Sequence, residues 1–340
     1  MRDLRGLSEA ELQTTINASQ FDRQTANGFY ESYFLRANHP TRPLAFWIRY
    51  TLFSPKGNLA GTEGQLWAIY FDGESSAIAA IKQVVPFSSC SFSRAGLEVR
   101  MGDATLGKTQ LAGSAQSESH RLSWDLAYTG ANVPAFLMPL EMYGRSFPKA
   151  KVLTPIPLAD FSGFIHVDSH AVEVNGWRGS QNHNWGSKHT DTYAWGQVAG
   201  FDSDSTAFLE CSTARLKVGP FWTPWLTNLV LRLPEREFIL NSLPQALRNR
   251  GKYGNFQWAI ECTRGPLRIS VAFSAPPSRF VALGYDDPPG GRKTCLNTKL
   301  ASCTVRISER GKPPRVLTTE ARAAFEILTM SADHGIAISA

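Results

Sequence analysis

The sequence lacks the long apolar runs that mark membrane proteins and secreted precursors. No segment approaches the roughly 18 consecutive apolar residues of a membrane-spanning helix. The first residues, MRDLRGLSEAELQTT, contain no apolar signal region. We therefore expect a cytoplasmic protein that has no transmembrane segment and makes at most a transient contact with a membrane surface.

Cysteine is scarce, and the common glycine-rich catalytic motifs are missing. The five cysteines are odd in number and form no CxxC pair, which indicates reduced and mostly buried thiols. There is no GxSxG nucleophile motif, and neither GxGxxG nor GxxxxGK(S/T) occurs. These absences argue against a hydrolase of the GxSxG type and against a nucleotide held by a glycine-rich loop, so we expect no cofactor.

Charge of either sign is modest. Lys and Arg number 35 against 29 Asp and Glu, which gives 340 residues a formal net charge of +6. The cationic residues are spread along the chain except for one group, which consists of Arg232, Arg236, Arg248, Arg250 and Lys252. A solvated face explains this group better than a phosphate site does, and no nucleic-acid motif accompanies it. We expect no nucleic-acid partner.

The chain instead contains strand after strand. Runs such as PLAFWIRYTLFS, QLWAIYFDG and HRLSWDLAYTG are rich in β-branched and aromatic residues and are bounded by Gly, Pro, Asn, Asp or Ser. Three prolines in FPKAKVLTPIPLADFSG (147–163) predict a domain boundary, because proline damages a central strand. The pattern predicts an N-terminal helical or partly ordered segment (1–27) followed by two all-β domains (28–150 and 151–340).

Helices are expected at three places. Ser8 and Glu11 form a capping-box pattern ahead of an apolar run. The segment EREFILNSLPQALRN (235–249) predicts a helix that ends at Gly251, with Pro244 as a kink or a break. The segment TTEARAAFEIL (318–328) predicts a final helix.

Residues 180–197, SQNHNWGSKHTDTYAWGQ, place bulky aromatic rings among polar side chains. Two strands joined by a turn at 186–188 would give this segment the form of a hairpin. On its first strand, His183 and Trp185 point one way while Asn182 and Asn184 point the other way. One face of the hairpin would suit a pocket for an apolar ligand. That face would consist of His183, Trp185, Asp191, Tyr193, Trp195 and Gln197.

Such a face suits the protonation of a carbon–carbon double bond. The chemistry needs a placed acid in a dry cavity, and Trp or Tyr rings stabilise the resulting carbocation. We assign Asp191 or His183 as the acid, with Tyr193 to orient it. The expected ligand contacts are Trp177, Asn184, Trp185, Trp195 and Gln197. The sequence leaves open whether His183 binds ligand or braces the hairpin, because rings at a barrel rim often only plug its end.

Histidine is concentrated in the same region. Four of the seven histidines fall within residues 166–189, and they are His166, His170, His183 and His189. Their spacing fits neither an HExxH nor a CxxC pattern, so we expect no metal site.

The segment GWRGSQNHNWGSKHTDTYAWGQ resembles the signature of a lipocalin-related superfamily. That superfamily joins carotenoid hydratases (hydroxyneurosporene synthase type), tocopherol-cyclase-like proteins and AttH-like proteins. The HNWG core and the YAW that follows it carry the resemblance. Three further segments resemble the same superfamily and extend the likeness over about residues 28–310: YESYFLRANHPTRPLAFWIRY, KVLTPIPLADFSGFIHV and CLNTKLASCTV.

The resemblance implies two tandem lipocalin-like (calycin-like) antiparallel β-barrels with a few short helices and an apolar cavity. Relatives hydrate terpenoid double bonds, close rings after protonation or promote pericyclic ring closures in polyketides. His183 and Trp185 match the histidine and tryptophan of the motif. The catalytic carboxylate of the hydratases lies on a later strand, where this chain has Asp202, Asp204 and Glu210.

Three functions are compatible with the sequence. The first is a cofactor-independent hydratase (a lyase), isomerase or cyclase that acts on an apolar terpenoid, polyketide or lipid. The second is a non-catalytic carrier of lipids or terpenoids, and the third is a scaffold with a large exposed apolar patch. The polar side chains of the motif favour the enzyme, because a carrier needs only apolar walls. The sequence leaves open the oligomeric state and whether ligand sits in one barrel or between the two.

Overall fold

The computed structural model describes residues 4, 6–24, 27–331 and 333–340. It consists almost entirely of antiparallel strands arranged in two large sheets. The first sheet nearly closes into a barrel. This confirms the expected all-β fold of two tandem lipocalin-like barrels.

The first sheet has 11 strands in the order β4-β3-β2-β1-β11-β10-β9-β8-β7-β6-β5. The bounds are β1 Phe29–Asn38, β2 Leu44–Ser54, β3 Glu63–Asp72, β4 Ala77–Pro86, β5 Cys90–Phe92, β6 Val99–Met101, β7 Ala104–Leu106, β8 Gln110–Gln116, β9 Arg121–Gly130, β10 Ala150–Val167 and β11 His170–Gly186.

The second sheet has 10 strands in the order β17-β16-β13-β12-β23-β22-β20-β19-β18, with β21 paired to β22, and β14 and β15 form a separate two-stranded ribbon. The bounds are β12 Thr192–Ala199, β13 Phe208–Arg215, β14 Lys217–Val218, β15 Phe221–Trp222, β16 Leu226–Leu233, β17 Arg236–Leu240, β18 Arg250–Gly254, β19 Gln257–Arg264, β20 Leu267–Ser274, β21 Val281–Asp286, β22 Arg292–Glu309 and β23 Arg315–Thr329.

The chain passes from the first sheet to the second at residues 187–191, whereas the prolines of the sequence predict a boundary at 150. Strands β10 and β11 pair with β9 and β1, so residues 150–186 belong to the first sheet. Pro155 and Pro157 lie at two register shifts of β10. A bulge tolerates a residue that has no amide N–H to donate, so the prolines bend this strand without ending it.

The helices are fewer and shorter than the sequence predicts. Helix α1 (Glu9–Asn17) begins at Ser8 with the expected capping box, whereas α2 (Leu243–Arg248) is a single short helix that follows strand β17. The predicted helix at 318–328 is wrong, because these residues lie within β23 and pair with β12 and β22. Tertiary pairing here overrides the helix preference of Ala and Glu. Short 3-10 helices occur at Leu59–Gly61, Phe87–Ser89, Leu140–Gly144 and Pro277–Arg279.

No helix in the described part of the chain is long and apolar enough to cross a membrane. All five cysteines belong to the described residues, and each is buried with a free thiol, as the sequence predicts.

Buried apolar side chains form three main clusters. One fills the first barrel around Tyr50 and Phe161, and a second fills the other barrel around Phe273 and Phe325. A third contains Trp47, Trp195 and residues from both sheets, and it joins the outer faces of the two barrels. The interface between the barrels is therefore a core of its own, and the candidate site lies within it.

Candidate functional site

The two strands of the 180–197 segment lie in different sheets. Strand β11 pairs with β1 and β10, whereas β12 pairs with β13 and β23. The predicted hairpin is therefore wrong, because the turn at 187–191 carries the chain from one barrel to the other. The strands face each other across the interface instead of pairing edge to edge, so the six side chains of the predicted face do not form one surface, and only Tyr193 and Trp195 line the same cavity.

The alternation along β11 is as predicted from the sequence. His183 is opposite Tyr33 of β1, and Asn182 is opposite Phe34. Tyr33 belongs to the interior of the first barrel, whereas Phe34 belongs to the interface cluster. His183 and Trp185 thus point into the first barrel, while Asn182 and Asn184 point towards the second.

His183 connects helix α1 to the first barrel. Its Nδ1 donates a hydrogen bond of 2.7 Å to the backbone oxygen of Ile16, and its Nε2 lies 2.9 Å from Oε1 of Glu31. The ring stacks on Tyr33 with centroids 4.1 Å apart. Both ring nitrogens of this fully buried histidine are therefore occupied by protein atoms.

Other predicted site residues also lie away from the interface. Trp185 packs among Ile16, Tyr143 and Leu153 beneath helix α1. Trp177 lines a wide cleft of about 740 Å³ at the mouth of the first barrel. These two tryptophans therefore face different regions of the molecule.

Asp191 lies just before β12, where it contacts two groups. Its carboxylate accepts hydrogen bonds from Nζ of Lys188 and from the backbone N–H of Lys217. Burial raises the pKa of Asp191, but these two hydrogen bonds outweigh it and hold the pKa below its ordinary value. A carboxylate stabilised in this way is a poor acid at neutral pH.

Gln197 lies at the centre of a buried polar network between the barrels. Its Oε1 accepts hydrogen bonds from Nε of Arg36 (3.1 Å) and from Oγ of Ser180 (2.7 Å). Its Nε2 donates to Oδ1 of Asn182 at 2.9 Å. Gln197 therefore joins β12 to β1 and β11 and stabilises the interface.

A cavity of about 150 Å³ lies beside this network. Three of the predicted site residues, Asn184, Tyr193 and Trp195, line it. The other lining residues are Tyr30, Phe34, Trp47, Arg49, Leu137, Met138, Pro148, Ala150, Val152, His189, Thr190, Ser212, Ala214, Leu216, Leu226, Asn228, Tyr285 and Glu326. Both barrels contribute, so the cavity exists only when they are packed together.

Aromatic rings form much of the cavity wall. Phe34 lies between two tryptophans, with ring centroids 6.1 Å from Trp47 and 6.2 Å from Trp195. The contact with Trp195 is edge to face. Such walls bind flat apolar molecules and attract cationic groups through the ring faces.

Four ionisable side chains of the cavity have pKa shifts that favour their neutral forms. Burial lowers the pKa of His189 well below its ordinary value, and the charges of Arg49 and Lys293 lower it further. The His189 ring stacks on Tyr30 with centroids 3.9 Å apart. Burial raises the pKa of Tyr193 and of Tyr285 well above the ordinary value of a phenol. Burial also raises the pKa of Tyr30, so the cavity contains a neutral imidazole and three protonated phenols.

Glu326 is the carboxylate of the cavity wall. Its Oε1 accepts hydrogen bonds from Nζ of Lys299 at 2.8 Å and from Nδ2 of Asn297 at 2.9 Å. Its Oε2 lies 3.7 Å from the Cys295 thiol, which is a weak donor. One oxygen of this carboxylate is therefore strongly bound and the other only weakly.

Trp195 links the cavity to a second buried carboxyl group. Its Nε1 donates to Oε1 of Glu210 at 3.1 Å, and the Thr154 hydroxyl lies 3.1 Å from Oε2. Burial raises the pKa of Glu210 to about 7, and the hydrogen bonds and the charge of Arg36 offset only part of this effect. Glu210 is not among the cavity-lining residues, so its contact with the cavity wall is the hydrogen bond from Trp195.

Reasoning from the sequence missed Arg49, Tyr285 and Glu326 as site residues and considered His189 only as a metal ligand. These residues come from β2, β21, β23 and the crossing segment, which are distant in the sequence. The alternation in PLAFWIRY places Arg49 on the same strand face as Trp47, and that signal was available. Glu326 was missed because residues 318–328 were predicted to be a helix, whereas they lie in strand β23.

The wide cleft at the mouth of the first barrel is a weaker candidate. Two of its ionisable groups are paired, Arg42 with Glu74 and His120 with Asp168. Among the described residues, none of the buried polar atoms that lack a hydrogen-bond partner belongs to its lining. The interface cavity, in contrast, is lined by Trp47, Arg49 and Asn184, which carry such atoms.

Comparisons with known proteins identify the fold but do not establish the family. No protein-family model matches the chain. Two uncharacterised proteins of Mycobacterium tuberculosis, MT0513 of strain CDC 1551 / Oshkosh and Rv0493c of strain H37Rv, are each 26% identical to it over 189 residues. The aligned part covers 56% of this chain and 56% of each relative, so the chain spans about half the length of the curated relatives it matches.

Several solved structures have the same two-barrel architecture. A candidate AttH protein (NE1406) from Nitrosomonas europaea superposes with a TM-score of 0.55 at 11% identity, over 92% of this chain and 97% of that one. CghA bound to Sch210972 gives 0.56 at 12% identity, over 89% and 88%. Kievitone hydratase from Nectria haematococca gives 0.54 at 11% identity, over 89% of both chains.

The chain shares their fold. At these identities the likeness concerns the arrangement of the barrels alone, so the chemistry must be argued from the side chains of the cavity.

Proposed function

We propose that this chain is an enzyme that acts on an apolar, unsaturated small molecule in the cavity between its two barrels. The reaction is an acid–base hydration, isomerisation or cyclisation that needs no cofactor. The observation that carries the proposal is that a neutral imidazole and protonated phenols share one aromatic cavity. Pairs of titratable groups whose pKa values are pushed apart are typical of acid–base sites.

His189 is the proposed base. A neutral imidazole can accept a proton from an attacking water or from an acidic carbon. Burial and the nearby charges of Arg49 and Lys293 lower the pKa of His189 and so favour this neutral form. In a hydration, the oxygen of the water would bond to one carbon of the double bond. The imidazolium would then return the proton to the other carbon, so that one water is added overall.

Tyr193 is the proposed hydrogen-bond donor. A phenol is protonated at neutral pH, and the raised pKa of Tyr193 preserves that form at higher pH, so it can donate to an oxygen of the substrate that gains negative charge during the reaction. The rings of Trp47 and Trp195 exclude water and hold the apolar part of the substrate. Asn184 contributes a polar contact from the wall of the first barrel.

These roles differ from the assignments made from the sequence alone. Tyr193, Trp195 and Asn184 remain site residues. His189 replaces His183 and Asp191 as the residue that moves the proton. His183 has both nitrogens occupied, and the pKa of Asp191 is lowered, so neither is suited to the chemistry.

The names of the fold relatives agree with this class of reaction. One of them is kievitone hydratase, and another, CghA, was solved with Sch210972. Together with the HNWG motif, the shared fold supports membership of the AttH-like group of the lipocalin-related superfamily.

The test uses molecules extracted from the purified protein and a set of apolar unsaturated compounds, with products followed by mass spectrometry. Conversion would appear as the gain of one water or as an isomer with changed retention. We expect His189→Gln and Tyr193→Phe each to lower the rate by about 100-fold or more. His166→Gln, which changes an exposed histidine outside the cavity, should leave the rate unchanged.

Two results would count against the enzyme. Full activity in both cavity variants would show that the chemistry occurs elsewhere. Tight binding of the extracted molecule without conversion by the wild-type protein would favour a carrier.

A further inference from the structure

Arg49 is a buried cation in the wall of the interface cavity. It lies on β2 and is only 7% exposed. Its guanidinium lies over the ring of Tyr285 at 4.7 Å and near the ring of Trp47 at 5.9 Å. These ring contacts hold the guanidinium in place but supply no negative charge.

Arg49 forms no ion pair with any described residue. The carboxylates on or beside the cavity wall are each paired with a lysine instead. These pairs are Glu326 with Lys299 (2.8 Å), Asp287 with Lys293 (2.8 Å) and Asp286 with Lys82 (2.9 Å). Among the described residues that line the cavity, Arg49 is therefore a positive charge without a carboxylate partner, and proteins rarely bury such a charge unpaired.

Unsatisfied hydrogen-bond donors line the same cavity. Within the described part of the chain, Nε of Arg49 and Nε1 of Trp47 are buried and have no acceptor. Oδ1 of Asn184 also lacks a partner there. Buried polar groups are nearly always hydrogen-bonded in folded proteins, so such a group of donors indicates a place for an acceptor from outside the chain.

The approach to the cavity is also positive. A second cleft, of about 190 Å³, shares Ala150 and His189 with the cavity. Its charged lining residues are Lys149, Lys188, Lys217 and Asp191, and Asp191 pairs with Lys188, which leaves the cleft with a net positive charge. Lysines around an entrance raise the local concentration of anions and speed their association.

We propose that the molecule bound in this cavity carries an oxyanion, a carboxylate or an enolate, on an apolar body, and that Arg49 binds this group. The inference rests on the proposed function insofar as it names the substrate class of the same cavity. A guanidinium binds a carboxylate through two parallel hydrogen bonds, which satisfies both the charge and the unpaired Nε. A cavity of this size holds about one ring or a short chain of apolar atoms.

The experiment compares acids with their neutral amides. Trans-cinnamate and cinnamamide, and octanoate and octanamide, are titrated at pH 7 while the tryptophan fluorescence of the full chain is recorded. We expect the wild-type protein to bind each acid about 10-fold to 100-fold more tightly than its amide. Arg49→Met should bring the acid-to-amide ratio close to one without changing the affinity for the amide, whereas Arg49→Lys should retain part of the preference.

Thermal unfolding without ligand provides the structural control. Arg49→Met should unfold at a higher temperature than the wild-type protein, because it removes an uncompensated buried charge. Arg178→Met, which changes an arginine paired with Asp160 outside the cavity, should leave the acid-to-amide ratio unchanged.

Any of three results would overturn the proposal. These are equal binding of acid and amide by the wild-type protein, an acid preference that survives in Arg49→Met, and the failure of both probe pairs to bind. The test does not depend on turnover. A protein that prefers the acid through Arg49 but converts no substrate would contradict the proposed enzymatic activity. The same result would support the anion site.

Discussion

At the scale of single residues, the polar side chains of the HNWG segment serve two separate sets of partners. His183 and Gln181 face helix α1, where they contact Ile16 and Asn17. Asn184, on the opposite side of the same strand, faces the cavity. The mixture of rings and polar groups in the sequence therefore reflects a strand that is buried on both faces, with each face requiring its own hydrogen bonds.

We expect His183→Ala to lower the free energy of unfolding by about 3–5 kcal/mol, because it empties a buried site and removes the imidazole contact of the buried Glu31 carboxyl, which keeps only its hydrogen bonds from Ser19, Gln20 and Tyr33. Urea unfolding followed by far-ultraviolet circular dichroism measures this change. The matched control His166→Ala removes an exposed ring and should change stability by less than about 0.5 kcal/mol. A variant as stable as the wild-type protein would show that His183 is not a brace.

Glu210 makes the stability of the protein depend on pH. Burial raises the pKa of this carboxyl from 4.5 to about 7 in the folded state. Between these two values the folded state holds a proton that the unfolded state has lost. The stability that the folded protein gains from the protonated Glu210 carboxyl is therefore fully present below pH 4.5, and it is lost as the pH rises to about 7.

We expect Glu210→Gln to remove this dependence. The wild-type protein should lose up to about 3 kcal/mol more stability than the variant between pH 5 and pH 8. Urea unfolding of both proteins at each pH measures the difference in the free energy of unfolding. The pH dependence that comes from other titratable groups is common to both proteins and cancels in the comparison. Parallel pH profiles for the two proteins would mean that the Glu210 carboxyl titrates normally.

At the scale of elements, the HNWG segment fixes helix α1 to the first barrel through hydrogen bonds at the end of the helix. The last carbonyls of a helix have no partner within it. Here the backbone oxygen of Ile16 accepts from His183, and that of Asn17 accepts from the Tyr33 hydroxyl at 3.0 Å. The helix covers Trp185 and lies apart from the interface cavity.

We expect Thr14→Pro to break α1 and to lower the free energy of unfolding by about 3 kcal/mol, because proline removes a helical hydrogen bond and clashes with the preceding turn. Hydrogen exchange should become faster at residues 9–17 and 181–185. Thr14→Ala is the control and should preserve protection. Loss of ligand binding in a folded Thr14→Pro protein would contradict the separation of α1 from the cavity.

Local patterns predicted some elements well and others badly. The capping box at Ser8 is decided by neighbours in the sequence and was confirmed. The segment 318–328 has residues that favour helix, yet its pairing with β12 and β22 makes it a strand. Proline in β10 suggested a boundary because bulges cannot be recognised from residue types alone.

At the scale of the whole molecule, the two-barrel fold followed from the strand pattern and the family resemblance, but the position of the site did not. The cavity depends on where the chain passes between barrels and on which outer faces pack together. Arg49 and Glu326 are 277 positions apart and meet only through that packing. Patterns along the sequence report which face of a strand is buried, but they do not report what buries it.

The central claim is that ligand binds between the barrels, and native mass spectrometry of the protein purified from its own source tests it most directly. Two variants are compared with the wild type. Ser212→Trp fills the interface cavity, and Ala171→Trp narrows the cleft at the mouth of the first barrel. We predict that a small molecule accompanies the wild-type protein and Ala171→Trp but not folded Ser212→Trp. A molecule that stays bound to Ser212→Trp and is lost from Ala171→Trp would contradict the claim and place the site in the first barrel.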